Sequence, residues 1–149
     1  MTYILSTLIS IMTILKTVET NNNPDSIGDN GRSYGILQIQ RSVLKDVNRI
    51  YGTNYYHEQM FSEKASEEVF KLYLCYGKEV FLKKHCRFPT EQELVRMWNG
   101  GIYKGYKYRD TKKYYNKSNV YTIDYRRFKT NSRTPLNTNL KEVIIQCKN

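Results

Sequence analysis

The chain has 149 residues, of which 40% are hydrophobic and 26% charged. This length and composition fit one globular domain with an adequate core, and the sequence contains no internal repeat or linker. The formal net charge of +10 is unevenly distributed. Residues 1–100 carry 12 Lys or Arg against 11 Asp or Glu, a balance of +1, whereas residues 101–149 carry 12 against 3, a balance of +9.

The basic last third, residues 101–149, also holds seven of the 14 tyrosines. A basic, aromatic segment suits a polyanionic partner such as nucleic acid, an anionic membrane or an acidic cell wall. The alternative interpretation is a solvated basic face without a dedicated partner.

The three cysteines are Cys75, Cys86 and Cys147. An odd number without regular spacing does not form a disulfide framework, and no pair has metal-ligand spacing. We therefore expect reduced cysteines, with one disulfide involving Cys147 as the alternative, and neither a metal ion nor a cofactor.

A first helix is predicted from Tyr3 to Glu19 or Thr20. Its apolar residues recur at helical spacing, and they are Leu5, Leu8, Ile9, Met12 and Leu15. A signal peptide is the alternative, but no positive residue precedes this run and no small-residue cleavage site follows it closely. The run is also short for a membrane span. We therefore expect a buried first helix.

A turn-rich segment follows, because Asn, Pro and Gly in "NNNPDSIGDNG" favour turns and disfavour helix. Residues 34–40 alternate with period two, which predicts a short strand or an extended turn. Ser42 is expected to cap a short helix over residues 43–51, and Gly52 to end it.

The remaining predicted elements are helical up to about Val120. Ser62 begins the longest helix, over residues 63–85, whose charges match the helix dipole. Thr90 and Glu93 form a capping box for the next helix, which stops at Gly100 and Gly101. The other predictions are a helix over residues 111–117 capped by Asp110, a loop over 130–139, and a closing strand or helix over 141–147. The long helix has a predicted apolar stripe of Val69, Leu72, Tyr73, Tyr76, Val80 and Phe81. These elements make an α+β, mostly α, single domain with a minimal sheet or extended loop near residues 27–40.

Glu19 is the residue to which we give a chemical role. A carboxylate at the end of an apolar helix is desolvated, which raises its pKa. A raised pKa is what the general acid of glycoside cleavage needs. The following loop would line a cleft, where Gly28, Gly31 and Gly35 let the backbone turn sharply and approach a substrate. The alternative is an ordinary glutamate in solvent.

Three motifs occur in order along the chain. They are Glu19-Thr20 with Asn23-Pro24 and Gly35-Ile36-Leu37-Gln38-Ile39, then "MWNGG" over residues 97–101, then Thr111 to Tyr114. Together they resemble the signature of the soluble lytic transglycosylase and goose-type lysozyme superfamily. The resemblance implies a lysozyme-like domain over residues 1–125. A basic C-terminal extension over residues 126–149 would pack on the same domain.

The resemblance assigns Glu19 as the catalytic acid and Gln38 as the cleft residue that binds an N-acetyl sugar. Trp98 stands where the family usually has Tyr, so it keeps a stacking face but loses a phenol. A core aromatic is an equal alternative for Trp98. Ser33 corresponds to a small polar residue that contacts the glutamate or substrate, and Tyr114 to a tyrosine near the acid. The substrate-binding residues implied are Ser33, Tyr34, Gln38, Trp98, Asn99 and Tyr114.

Two reactions are compatible with this resemblance. In a lytic transglycosylase one glutamate protonates the glycosidic oxygen and then deprotonates the sugar's own 6-hydroxyl, closing a 1,6-anhydro ring. In an inverting hydrolase a second carboxylate, about 6.5–9.5 Å away, activates water. Asp29 is the candidate base, with Asp25 as a weaker candidate. Asp29 also suits a turn, and Gln40 occupies the place of a further aspartate. We favour the transglycosylase, with the hydrolase as the alternative.

The expected substrate is the β-1,4 bond between N-acetylmuramic acid and N-acetylglucosamine in peptidoglycan. Residues 101–149 would hold the enzyme on anionic cell-wall polymers. We expect a monomer without a specific nucleic-acid partner or a stable membrane span. It would act outside the cytoplasm in the periplasm, as a secreted protein or delivered by phage. The competing classes are a polyanion-binding protein, which would be insensitive to Glu19, and a catalytically silent glycan binder.

Overall fold

A computed structural model describes the backbone of residues 2–126 and the side chains of residues 7–118. Most of the described residues are helical, and one small antiparallel sheet lies between the first and second helices in chain order. The predicted α+β, mostly α, class is therefore confirmed. The helices are α1 (Thr2–Thr20), α2 (Arg41–Tyr51), α3 (Glu63–His85), α4 (Glu91–Gly100) and α5 (Arg109–Arg126). The strands are β1 (Ile27–Gly28), β2 (Ser33–Tyr34) and β3 (Ile39–Gln40), and short 3-10 helices span His57–Phe61 and Gly105–Lys107.

Helix α1 packs against α3, α4 and α5 through one apolar face, as predicted. The buried residues on this face are Leu8, Ile11, Met12 and Leu15. Ile9, which was assigned to the same face, is 42% exposed. Ile11 replaces it because positions i, i+3, i+4 and i+7 share one side of a helix.

The sheet is formed by the turn-rich segment and has the order β1-β2-β3. Ile27 pairs with Tyr34, and Tyr34 pairs with Ile39. The predicted extended segment over residues 34–40 is therefore interrupted: its ends are strands and its middle is a turn. Asn21 and Asn22 follow the last residue of α1 and stop the helix before this sheet. Their φ angles of 54° and 64° lie in the left-handed region that Asn tolerates.

Helix caps were predicted with mixed success. Thr90 and Glu93 form the capping box of α4, and the Ser62 hydroxyl accepts a hydrogen bond from the Ala65 N–H at the start of α3. Ser42 was wrongly predicted as a cap, because α2 already begins at Arg41 with Gln40 at the N-cap position. Gly52 ends α2 as predicted, with φ of 67°.

Helix α3 lies at the centre of the core, and its buried face is rotated from the predicted stripe. Val69, Tyr73 and Phe81 of that stripe are buried as predicted, whereas Leu72, Tyr76 and Val80 are only partly buried. Phe70 and Leu74, which were not predicted, are fully buried. Contacts with helices on more than one side of α3 explain this burial.

Helix α5 is longer than predicted and already includes Asp110, so Asp110 lies in its first turn and is not a cap. The predicted extension over 126–149, apart from Arg126, lies outside the described residues, as do the loop and closing element assigned there. Within the described part of the chain, no helix is both long and apolar enough to span a membrane.

The cysteines differ from one another. Cys75 is buried in α3 and is disulfide-bonded, so the expectation that all three are reduced was wrong for this residue. Cys86 is exposed and free. Cys147, which was named as a disulfide partner, lies outside the described residues.

Candidate functional site

A cleft of about 370 Å³ lies where the end of α1, the small sheet and the end of α4 meet. Helices α2 and α3 complete its wall. The lining residues are Glu19, Asp29, Gln38, Gln40, Ser42, Val43, Tyr73, Trp98, Asn99, Gly100 and Gly101. Five of the predicted site residues, Glu19, Asp29, Gln38, Trp98 and Asn99, therefore share one cavity.

Glu19 is held at this cleft by contacts on both sides of it along the chain. Lys16, one turn earlier, is buried and forms ion pairs with Glu63 and Glu67 of α3, the first at 2.7 Å. The Thr20 hydroxyl lies 3.0 Å from the Ile36 carbonyl oxygen. These contacts fix the last turn of α1 against both α3 and the segment that follows β2.

The environment of Glu19 favours the protonated acid. Burial raises the pKa of its carboxyl, and the negative charge of Asp29 raises it further. Hydrogen bonds from Tyr114 and Trp98, and the charge of Lys117, oppose this rise without reversing it. The pKa of Glu19 is therefore above its ordinary value, as the sequence predicted.

Tyr114 is the principal polar partner of Glu19. Its hydroxyl donates a hydrogen bond to Glu19 Oε1. Burial, followed by the charge of Glu19, raises the pKa of Tyr114, so the hydroxyl stays protonated and remains a donor. The weakest of the three sequence motifs thus contains a residue that contacts the candidate acid.

Asp29 combines the two interpretations that the sequence left open. It forms a turn with Asn30, since both have positive φ and the Gly31 N–H donates to the Gly28 carbonyl at 3.0 Å, as in a type I′ turn. Its carboxylate also lines the cleft.

Two hydrogen bonds to Asp29 Oδ2 set the state of that carboxylate. Ser33 donates one of them, and Gln40 Nε2 donates the other at 3.1 Å. The hydrogen bond from Ser33, and then that from Gln40, lowers the pKa of Asp29. Asp29 is therefore ionised at every pH at which Glu19 is ionised.

Ser33 and Tyr34, which were assigned as substrate contacts, are not among the residues that line the cleft. Ser33 is 1% exposed and contacts Asp29, not Glu19. Tyr34 stacks on His57 with ring centroids 3.8 Å apart, and on Phe61 at 4.9 Å. Both residues belong to strand β2. Ser33 supports the Asp29 turn, and Tyr34 covers the 3-10 helix at residues 57–61.

Gln38 is placed in the cleft wall by tight backbone packing. Its φ is 52°, and its Nε2 donates to the Gly35 carbonyl oxygen at 2.9 Å. A Cβ at Gly28 would overlap Gln38 Oε1, and a Cβ at Gly35 would overlap the Met60 carbonyl oxygen. The spacing of Gly35 and Gln38 therefore reflects close packing as well as a turn.

Trp98 is mainly a core residue, since it is 9% exposed and packs edge-on against Phe70 at 4.8 Å and Tyr73 at 6.0 Å. Because its ring is packed in the core, Trp98 is not a stacking platform in solvent. It still lines the cleft and hydrogen-bonds Glu19. Asn99, the next residue, is exposed at the cleft.

Some lining residues were not predicted from the sequence. Gln40 was considered only as a failed base, although an amide two residues after Gln38 in a period-two segment could have indicated a second cleft-facing side chain. Tyr73 was assigned to an apolar stripe. Nothing in the sequence indicated that Ser42 or Val43 would line a cleft.

No protein-family model, curated protein or solved structure matched the chain. No group of His, Cys, Asp and Glu side chains able to hold a metal ion occurs among the described residues.

Proposed function

We propose that this chain is a peptidoglycan-cleaving glycosidase with a lysozyme-like fold. It would cleave the β-1,4 bond between N-acetylmuramic acid and N-acetylglucosamine as a lytic transglycosylase. The observation that carries the proposal is Glu19: a desolvated carboxyl with a raised pKa, bound by Tyr114, that opens onto a cleft lined by the amides of Gln38 and Asn99. A carboxyl with a raised pKa keeps its proton to higher pH than an ordinary glutamate and can deliver that proton to a leaving oxygen.

In the proposed reaction, protonated Glu19 donates its proton to the glycosidic oxygen. The bond between that oxygen and C1 of the muramyl sugar breaks, and positive charge develops on the ring. Glu19, now a carboxylate, removes the proton of the 6-hydroxyl as O6 bonds to C1. The products are a 1,6-anhydromuramyl end and a free 4-hydroxyl, and Glu19 is protonated again.

Asp29 would stabilise the developing positive charge in this scheme. Its hydrogen bonds from Ser33 and Gln40 keep it ionised and lower its pKa. A lowered pKa makes it a weak base, since general-base catalysis is most effective when the pKa lies near the working pH. This favours the transglycosylase over an inverting hydrolase.

The hydrolase remains a second candidate because Asp29 lines the same cleft as Glu19 and interacts with its charge. In that reaction Asp29 would take a proton from water as the water attacks C1. The product would carry a reducing end.

Mass spectrometry of the fragments released from purified sacculi distinguishes these reactions. We expect the released fragments to carry 1,6-anhydro ends. Fragments with reducing ends would instead identify the enzyme as the hydrolase. Glu19→Gln should reduce cleavage by roughly 10²- to 10⁴-fold, the usual contribution of a general acid or base. Glu58→Gln, at an exposed glutamate, is the matched control and should retain full activity.

Two results would contradict an enzymatic function. Full activity of Glu19→Gln would remove the assigned acid. Retention of the chain on sacculi without any released fragment would instead favour a catalytically silent glycan binder.

The proposed partners and location follow from this function. Exposed cations at the start of the basic third are available to anionic wall polymers, and they are Lys104, Lys107, Arg109, Lys112, Lys113 and Lys117. The chain would act on the wall outside the cytoplasm.

A further inference from the structure

A group of polar and aromatic side chains lies next to the cleft and is not used by the proposed reaction. We call it the distal patch, and it consists of Asp46, Arg49, Tyr76 and Tyr103. Tyr103 is 49% exposed. Its hydroxyl oxygen lies 3.4 Å from that of Tyr76.

The distal patch continues three of the elements that line the cleft. On α2, Asp46 lies one turn beyond the lining residue Val43, and on α3, Tyr76 lies one turn beyond Tyr73. After α4, Tyr103 follows the lining residue Gly101 by two positions. The patch and the cleft are thus parts of one surface.

Tyr73 joins the two regions directly. It lines the cleft, and its hydroxyl is hydrogen-bonded to the backbone of Ile102. The charge of Asp46 also acts on it. A chain of sugars that filled the cleft and passed Tyr73 would therefore reach Tyr103.

The backbone under Tyr103 is fixed by core packing. Ile102 is 1% exposed, and a Cβ at Gly77 of α3 would lie only 2.8 Å from Ile102 Cγ2. Glycine at this position lets Ile102 enter the core. The backbone that carries Tyr103 is thereby fixed before any ligand binds, which lowers the entropic cost of binding.

Charged partners surround the exposed ring. Arg49 Nη2 lies 3.2 Å from Asp46 Oδ1, and Arg49 also hydrogen-bonds Tyr103. An exposed ring face beside one carboxylate and one guanidinium offers an apolar platform with both acceptors and donors at its edge. This combination suits a pyranose ring, which has apolar C–H faces and hydroxyls around its edge.

We propose that the distal patch is a sugar-binding subsite for a pyranose of the glycan strand beyond the sugars that occupy the Glu19 cleft. The inference rests on the proposed function, because it assigns a further part of the same polymeric substrate. Tyr103 would stack on the sugar, and Asp46 and Arg49 would bind its hydroxyls. The chain would then prefer long strands to short ones.

The test is a binding measurement with the full chain carrying Glu19→Gln, which prevents turnover. Calorimetric titration uses peptidoglycan glycan fragments of two lengths, two sugars and eight sugars. Adding Tyr103→Ala should weaken binding of the long fragment by about three- to tenfold, the equivalent of one aromatic stacking contact. Binding of the short fragment should not change. Tyr103→Phe keeps the ring and should retain the affinity of the parent.

Tyr56→Ala is the matched control, because Tyr56 is 60% exposed and is not among the lining residues of the cleft. It should leave both affinities unchanged. An unchanged affinity of Tyr103→Ala for the long fragment, or an equal loss for both lengths, would overturn the subsite. If the parent binds neither fragment, the proposed function itself fails, and the subsite fails with it.

Discussion

The Tyr114 hydroxyl donates a hydrogen bond to the Glu19 carboxylate across 95 residues of sequence. The contact joins the end of α1, which lines the cleft, to the second turn of α5. It places a neutral donor on the one carboxyl of the cleft whose pKa is raised. The pH dependence of activity is therefore the most direct way to test it.

Tyr114→Phe should move the alkaline limb of the pH–activity profile to higher pH. Catalysis needs protonated Glu19, so activity falls as the pH rises through the pKa of Glu19. The Tyr114 hydrogen bond lowers that pKa, and its removal raises it. The measurement is kcat/KM on sacculi against pH. Tyr115→Phe, at the neighbouring partly buried tyrosine, is the control and should not move the limb.

Asp29→Asn should move the same limb in the opposite direction. The charge of Asp29 raises the pKa of Glu19, so its loss lowers that pKa and brings the fall in activity to lower pH. Peak activity should decrease by less than roughly tenfold in a transglycosylase. A loss of about 10²-fold or more would instead identify Asp29 as a general base. Asp25→Asn, at an exposed aspartate of the same loop, controls for loop charge.

Glu19→Gln should stabilise the fold at pH 7 although it removes activity. Because the folded-state pKa of Glu19 is raised above its ordinary value of 4.5, the native state binds the proton more tightly than the unfolded chain. The stability that Glu19 contributes is thus complete below pH 4.5 and is lost as the pH rises through the raised pKa.

The thermal midpoint of Glu19→Gln should therefore exceed that of the parent at pH 7 and match it below pH 4.5. The expected difference is roughly 2–4 °C for each kcal/mol. Thermal unfolding followed by circular dichroism measures it. A stabilisation that is the same at both pH values would contradict the assigned pKa.

Gly35→Ala should destabilise the chain more than Gly31→Ala. Both glycines have positive φ, 78° and 83°, so both variants carry backbone strain of roughly 1 kcal/mol or more. Only at Gly35 would the new Cβ also overlap the Met60 carbonyl oxygen, since the space around Gly31 is open. Urea unfolding of the two variants measures the difference. Equal losses would show that the close packing at Gly35 is relieved without cost.

Local patterns explain which parts of the fold were predictable. The capping box of Thr90 and Glu93, the cap at Ser62 and the stop at Gly52 each depend on a few neighbouring residues, and they mark the helix ends seen in the structure. The elevated pKa of Glu19 was also predictable, because an apolar helix end implies desolvation.

Contacts between distant segments explain what was missed. Ser33 was assigned to the glutamate or to substrate but contacts Asp29, because strand pairing places β2 beside the Asp29 turn. Tyr34 was assigned to substrate but stacks on His57, which is contributed by a 3-10 helix that the sequence did not predict. Trp98 was predicted either as a core aromatic or as a sugar platform in the cleft. In the structure it packs in the core and also lines the cleft.

The sequence by itself determined the helices, the turn-rich segment and a carboxyl at the end of an apolar helix, since these follow from propensities and spacing along the chain. The tertiary structure decided which side chains meet that carboxyl. Tyr114, Trp98 and Asp29 come from three separate elements, and only the packing of those elements brings them to Glu19. How far the pKa of Glu19 rises therefore depends on distances that no local pattern encodes.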